Sequence, residues 1–225
     1  MVPQQFPVGR VVVDRSHSIG KKVTASLLPN NDRNASVLGA GVGGSVNGPV
    51  TVCNGSTQYF ESTTPVIVAA PFTLMCWAYG APHASNKAFA GIGRVGNESR
   101  AAIYFSSFTN KLNLFVGGSN YTQFSRTDAE TVGTGFTSYA GTFVSASVGY
   151  LYKNGVLLTT NTESGLSNFS TGLDYRLMLN GMRSNASVGL QSSYSMLGAI
   201  LVNGGLKDVE ISELHANPGQ IFIPA

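Results

Sequence analysis

Asp128 and Glu130 stand two residues apart, so an extended backbone puts both carboxylates on one face, where one carboxyl can give a proton and the other accept one. Their surroundings, the polar run Ser125 to Thr131, read instead as a solvated turn. Asp14, Asp32 and Asp174 are isolated and suit caps or turns, and 11 acidic residues in all make a calcium site of several carboxylates hard to assemble. His17, His83 and His215 show no i, i+4 pairing of the kind that ligates zinc, so neither a metal nor another cofactor is expected. The glycines from Gly39 to Gly44 have no following Lys-Ser/Thr and no strand-to-helix context, so they read as flexible loop and not as a phosphate cradle. A Gly-x-Ser-x-Gly elbow for a serine nucleophile does not occur. Cys53 and Cys76 allow one disulfide at most, and Cys76, inside the apolar run Phe72 to Tyr79, reads as a buried free thiol.

Aromatic side chains offer the better chemistry. Period-two alternation places Phe72, Leu74, Cys76 and Ala78 on one face of a strand and Thr73, Met75, Trp77 and Tyr79 on the other. If the first face fills a core, Trp77 and Tyr79 lie outside it, either as a platform that stacks on a sugar ring or covered by loops or a neighbouring subunit. The covered arrangement is the expected one for Trp77. Tyr150 and Tyr152, with Tyr104 and Phe115, carry the same pair of readings. Trp77, Tyr79, Tyr150 and Tyr152 are therefore the candidate ligand-binding or subunit-contact residues, with no catalytic residue among them.

The elements that must position these residues are strands. Apolar runs of five to eight residues, rich in aromatic and β-branched types, recur between Gly, Asn and Ser clusters: Val11 to Val13, Pro65 to Ala70, Phe72 to Tyr79, Ala101 to Phe105, Leu112 to Val116, Val148 to Lys153, Val156 to Thr160, Tyr175 to Leu179 and Met196 to Val202. Asn154-Gly155 supplies the two positive-φ positions of a type I′ hairpin turn. Helical spacing occurs once, where Ile211, Leu214 and His215 share a face, Asp208 can cap the start and Asn217-Pro218 ends the run. Residues 28–56, rich in Gly and Asn, read as a long surface loop. Many strands and one helix predict a sandwich or barrel.

Composition limits the function classes. With 43% hydrophobic and 11% charged residues among 225, the chain must fold, and this length suits one all-β domain over residues 1–225. The net charge of +3 is spread out, without the Lys/Arg cluster that phosphates demand, so nucleic acid is not an expected partner. No run approaches the ~18 apolar residues of a membrane span, and Met1 to Arg10 shows no secretory signal, so synthesis in a cytoplasm without the usual export route is expected. Sequons at Asn34, Asn54, Asn97, Asn120, Asn168 and Asn185 are discounted for the same reason.

Four motifs in order, Asn54 to Glu61, Pro71 to Tyr79, Val148 to Val156 and Leu206 to Pro218, resemble the concanavalin A-like lectin/glucanase superfamily in its laminin-G-like branch. The resemblance implies an all-β jelly-roll sandwich of two antiparallel sheets with one short C-terminal helix. Glucanases of that superfamily share a Glu-x-Asp-x-Glu type strand, and no such run exists here, so the expectation is a non-enzyme. Val13 to Ser18 and Asn217 to Phe222 are similar to such domains in tailed-bacteriophage virion proteins. Lys207 departs from the Ser or Thr frequent at the family's helix cap, and Arg15 from a frequent aromatic. What the resemblance implies is a virion structural protein, a capsid decoration or head-fibre protein with glycan adhesion as a further role. The alternative is a carbohydrate-binding, lectin-like module of a tail or secreted protein. On the first reading the partners are other virion proteins and further copies of the chain, with host or environmental glycans as a second class and no membrane. An extended N-terminal arm, residues 1–13, and a C-terminal tail, residues 218–225, are then expected to anchor on neighbours.

Overall fold

A computed structural model describes residues 11–28, 35–37, 41–45, 48–53, 59–80, 87–94, 100–106, 111–117, 121–125, 135–145, 148–161, 174–184, 187–189 and 195–224. Among these residues two antiparallel sheets of eight strands each face one another. The first, here the Phe89 sheet, runs Tyr121–Ser125, Lys111–Gly117, Arg100–Ser106, Lys87–Gly93, Asp174–Leu179, Phe60–Ser62 and Ala35–Val37, with Val66–Ile67 also on Asp174–Leu179. The second, the Trp77 sheet, runs Val156–Asn161, Val148–Lys153, Gly135–Ser145, Phe72–Gly80, Ser195–Asn203, Gly48–Val52 and Gly41–Ser45, with Val23–Leu27 on the other end of Ser195–Asn203. Neighbours in space are mostly distant in sequence, so the sandwich is held by long-range pairing.

The alternation read from Phe72–Gly80 holds. Phe72, Leu74, Cys76 and Ala78 point between the sheets and meet Phe89, Ile103, Leu114 and Tyr139 in one buried cluster. The rings of Phe89 and Tyr139 stack across the gap with centroids 4.3 Å apart. Gly141 lets the sheets close at that point, since a Cβ there would stand 2.5 Å from Cδ1 of Leu114. Cys53 and Cys76 are both free and buried; burial pushes the Cys53 thiol up to about 11 and that of Cys76 higher still.

Met75, Trp77, Tyr152 and Ile200 point the other way, into a second buried cluster. A third layer covers them: Ile19, Val23 and Leu28 from the N-terminal side, Ile211 and Leu214 from the helix Asp208–Ala216, and Ile221 and Phe222 beyond it. The chain ends close this layer, because Val11–Val13 pairs antiparallel with Phe222–Pro224. Of the expected arm and tail, these segments thus bind each other, and Pro218–Ile221 is a 3-10 turn with Pro218 and Ile221 buried. Residues 1–10 and 225 lie outside the described residues.

Two local expectations change, and one strand comes without a signal in the sequence. Residues 28–56 include the strands Ala35–Val37, Gly41–Ser45 and Gly48–Val52, so the glycines from Gly41 belong to a hairpin and not to a loop. Pro65 to Ala70 shortens to the two-residue strand Val66–Ile67. Gly135–Ser145, in the middle of the Trp77 sheet, has no long apolar run to announce it, because Thr137, Ser138 and Thr142 interrupt its apolar residues. Asn154-Gly155 does form the hairpin turn, with φ of 52° and 77°.

Candidate functional site

Two glycines build the floor of a groove beside the helix. Gly204 and Gly205 have φ of 90° and 67°, values that favour glycine, and a Cβ on Gly205 would stand 3.3 Å from Pro71. Their backbone is pinned to the sheet: the Gly204 N–H donates to Pro71 O at 2.7 Å and the Leu206 N–H to the Thr73 hydroxyl at 2.8 Å. Thr73 in turn shares a 2.9 Å hydrogen bond with Thr142. The chain therefore enters the helix low against the sheet, leaving a cavity of about 570 Å³ walled by Tyr150, Tyr152, Val144, Lys207, Asp208 and Val209. That volume suits a small ligand.

Asp208, a capping residue type, is the first helical residue instead of the cap, and Lys207 precedes it at the cap position. A lysine side chain cannot accept a hydrogen bond. Glu210 compensates by accepting the Lys207 N–H at 2.9 Å, one half of a capping box. Its other oxygen meets the Lys22 ammonium at 2.7 Å. Burial raises the Glu210 carboxyl, yet the Lys207 N–H and Lys22 outweigh it and hold the acid below the usual carboxylate range. Asp208, released from capping, accepts the Tyr152 hydroxyl on Oδ1 at 2.7 Å. Burial first, and this carboxylate second, push the Tyr152 phenol well above its ordinary value.

Of the four candidate aromatics, Tyr150 and Tyr152 meet in this groove. Tyr150 is half-buried and presents a ring to it, whereas Tyr152 is buried and serves as the bolt to Asp208. Trp77 is fully buried in the layer beneath the helix, so the platform reading fails for it and the covered one holds. The cover comes from this chain's own ends. The side chain of Tyr79 lies outside the described residues, as do that of Phe115 and all of Asp128, Glu130, Asp32 and His83. For Lys22, Lys207 and Asp208 the sequence carries no site signal beyond the unusual lysine at the helix cap.

Other chemistry is settled by geometry. Asp14 accepts the N–H and hydroxyl of Ser16 at 2.8 and 2.6 Å, which closes a turn. His215 Nδ1 lies 3.1 Å from the Ser138 hydroxyl and stacks on Phe136 at 5.9 Å, and burial lowers its pKa. Among the described residues no three His, Cys, Asp or Glu side chains gather closely enough to hold a metal ion. No described helix is long and apolar enough to cross a membrane. A second cavity, about 530 Å³, lies between Val11–Val13 and Val23–Leu27, with Arg15 at its side bonded to Gly20 O at 3.2 Å and to Val23 O.

No protein-family model matches the sequence, and no curated protein matches it. Solved structures do match. Domain 4 of AbnA, a GH43 extracellular arabinanase from Geobacillus stearothermophilus, in complex with arabinotriose, aligns over 92% of this chain and 98% of that one, with a TM-score of 0.61 and 14% identity. The fold is a jelly-roll sandwich of two antiparallel sheets. The CBM40 of the Ruminococcus gnavus IT-sialidase, bound to α2,3-sialyllactose, aligns with this jelly roll over 66% of the chain and 84% of its own, with a TM-score of 0.53 and 13% identity. A heptameric SAP-like pentraxin from Limulus polyphemus aligns over 78% and 80%, with a TM-score of 0.54 and 13% identity. At such identities the likeness is one of fold, and among these similar jelly rolls are carbohydrate-binding domains.

Proposed function

We propose that the chain is a non-enzymatic, lectin-like carbohydrate-binding module whose saccharide lies in the groove walled by Tyr150. The observation that carries this reading is the half-buried Tyr150 ring beside the Asp208 carboxylate and the Lys207 ammonium in one cavity. An apolar face with a few polar groups at its rim is what a sugar ring, apolar on its C–H face and hydroxylated at its edge, requires. Two similar folds complexed with arabinotriose and sialyllactose support the assignment. Glycoside hydrolysis would need one carboxyl kept protonated as the acid, and Glu210, ionised by Lys22 and the Lys207 N–H, is unsuited to that role.

Calorimetric titration across a broad glycan panel tests the proposal. Removing the ring in Tyr150→Ala is expected to cost about 1.5 to 3 kcal/mol of binding, more than tenfold in affinity, with the fold retained. No binding anywhere in the panel would overturn it.

A second reading places the protein on a phage particle, as a capsid decoration or head-fibre protein. On that reading Val12 and Ile223, opposite one another in the terminal strand pair and 49% and 43% exposed, are the apolar side chains that would meet a neighbouring subunit. Mass spectrometry of purified particles, with copy number set against the major capsid protein, decides it; absence from the particles rejects it.

A further inference from the structure

Resting on the lectin-like reading, we infer that the groove selects neutral saccharides over acidic ones and that Asp208 and Lys207 set this selectivity. Four charged residues line or flank the cavity: Lys22, Lys207, Asp208 and Glu210. Lys22 and Glu210 cancel each other in a direct ion pair of 2.7 Å, and Glu210 spends its second oxygen on the Lys207 N–H. What the groove presents to a ligand is then one carboxylate and one ammonium, with no net charge.

The carboxylate is also oriented. Tyr152, itself buried, holds Asp208 through Oδ1, which leaves Oδ2 to accept a hydroxyl. Carboxylates accept hydrogen bonds and cannot donate them, so Asp208 receives sugar hydroxyls and repels a sugar carboxylate. Lys207 complements it by donating to ring or hydroxyl oxygens. Glu210 and Tyr152 act through these two as positioning residues. Val144, Pro71 and Val209 complete an apolar surround for the C–H face that stacks on Tyr150. An anionic sugar entering this site would set its charge against Asp208 and could pair only with Lys207, an exposed ammonium whose small gain in water does not outweigh that repulsion, so its carboxylate would be crowded for no net return.

The full chain, its Asp208→Asn, Lys207→Ala and Tyr150→Ala variants, and a groove-filling Val209→Trp variant are titrated with neutral oligosaccharides, arabinotriose and lactose among a wider neutral set, and with α2,3-sialyllactose and oligogalacturonate as acidic probes. Thermal unfolding confirms that each variant is folded. The expected result is a neutral preference of tenfold or more in the parent protein and a loss of binding in Tyr150→Ala and Val209→Trp. Asp208→Asn, whose amide oxygen still accepts from Tyr152, is expected to narrow the neutral-to-acidic ratio severalfold, and Lys207→Ala to weaken neutral binding. Acidic preference in the parent, or a ratio unmoved by Asp208→Asn, would overturn the selectivity while leaving a glycan-binding module. Binding indifferent to Tyr150→Ala and Val209→Trp would move the site elsewhere, and no binding in the whole panel would remove both readings.

Discussion

The Tyr152 hydroxyl donates to Oδ1 of Asp208 at 2.7 Å, and this bond ties Val148–Lys153, the strand next to one edge of the Trp77 sheet, to the first turn of the only α-helix among the described residues. It joins the groove to the layer that hides Trp77, so the candidate site and the outer layer are mechanically one piece.

Tyr152→Phe keeps the packing and removes the bond. Asp208 is exposed and can regain water, so the expected cost is about 1 kcal/mol in urea unfolding at pH 7. The pH dependence carries the sign. The folded phenol titrates above its unfolded value near 10, so native Tyr152 keeps its proton where the unfolded chain loses it. The parent's stability should fall as pH rises beyond about 10, and Tyr152→Phe should flatten that fall.

Trp77 is the sole tryptophan and is fully buried. Its emission should be blue-shifted, resist acrylamide quenching and ignore added saccharide. Trp77→Ala should destabilise the fold by about 3 to 5 kcal/mol, as large cavities in a packed layer do. A folded Trp77→Ala protein of near-parental stability that had lost glycan binding would instead show that the tryptophan reaches the ligand.

Gly155 sits at φ 77° in the hairpin turn, and a Cβ there would meet Cα of Ser212, in the helix, at 2.9 Å. Gly155→Ala therefore suffers both backbone strain and a clash with helix backbone. The expected loss is about 2 to 3 kcal/mol in denaturant unfolding, while Gly204→Ala, whose Cβ would meet nothing within 4 Å, should show only the strain of its positive φ, about 1 to 2 kcal/mol.

His215 is held neutral by burial between Phe136 and Ser138. Its folded pKa lies below the unfolded value near 6.5, so the unfolded chain binds the extra proton first and stability drops as pH falls below about 7. Thermal melts between about pH 7 and 5 should show this drop, and His215→Gln should reduce it. Glu210 and Asp14, both depressed, give their own losses further down, as pH falls through the carboxylate range. An unchanged slope in His215→Gln would place the titrating group elsewhere.

Short-range physics was legible in the residues alone. Alternation in Phe72–Gly80 assigned its two faces, Asn154-Gly155 dictated its turn, and Ile211 with Leu214 marked the buried side of the helix, because each depends on a period or a dihedral preference within a few residues. Tyr150 and Tyr152 stood out for the same reason. Long-range partners were not legible. The Gly-rich strands Gly41–Ser45 and Gly48–Val52 have little hydrophobic pattern and owe their form to backbone pairing with each other and with Ser195–Asn203. Gly135–Ser145 is a central strand because Phe72–Gly80 and Val148–Lys153 flank it.

The sequence by itself determined that this chain is all-β, a sandwich or a barrel, with one outward aromatic face, since strand period and turn chemistry are local properties. Only the tertiary structure decided what that face does. Trp77 and Tyr152 share it, yet the first is sealed under Ile211 and Leu214 in the outer layer and the second bolts the helix down through Asp208. Tyr150 keeps a ring at the groove because Gly204 and Gly205 hold the chain against Pro71 and Thr142, a contact between residues far apart in sequence that no local pattern encodes.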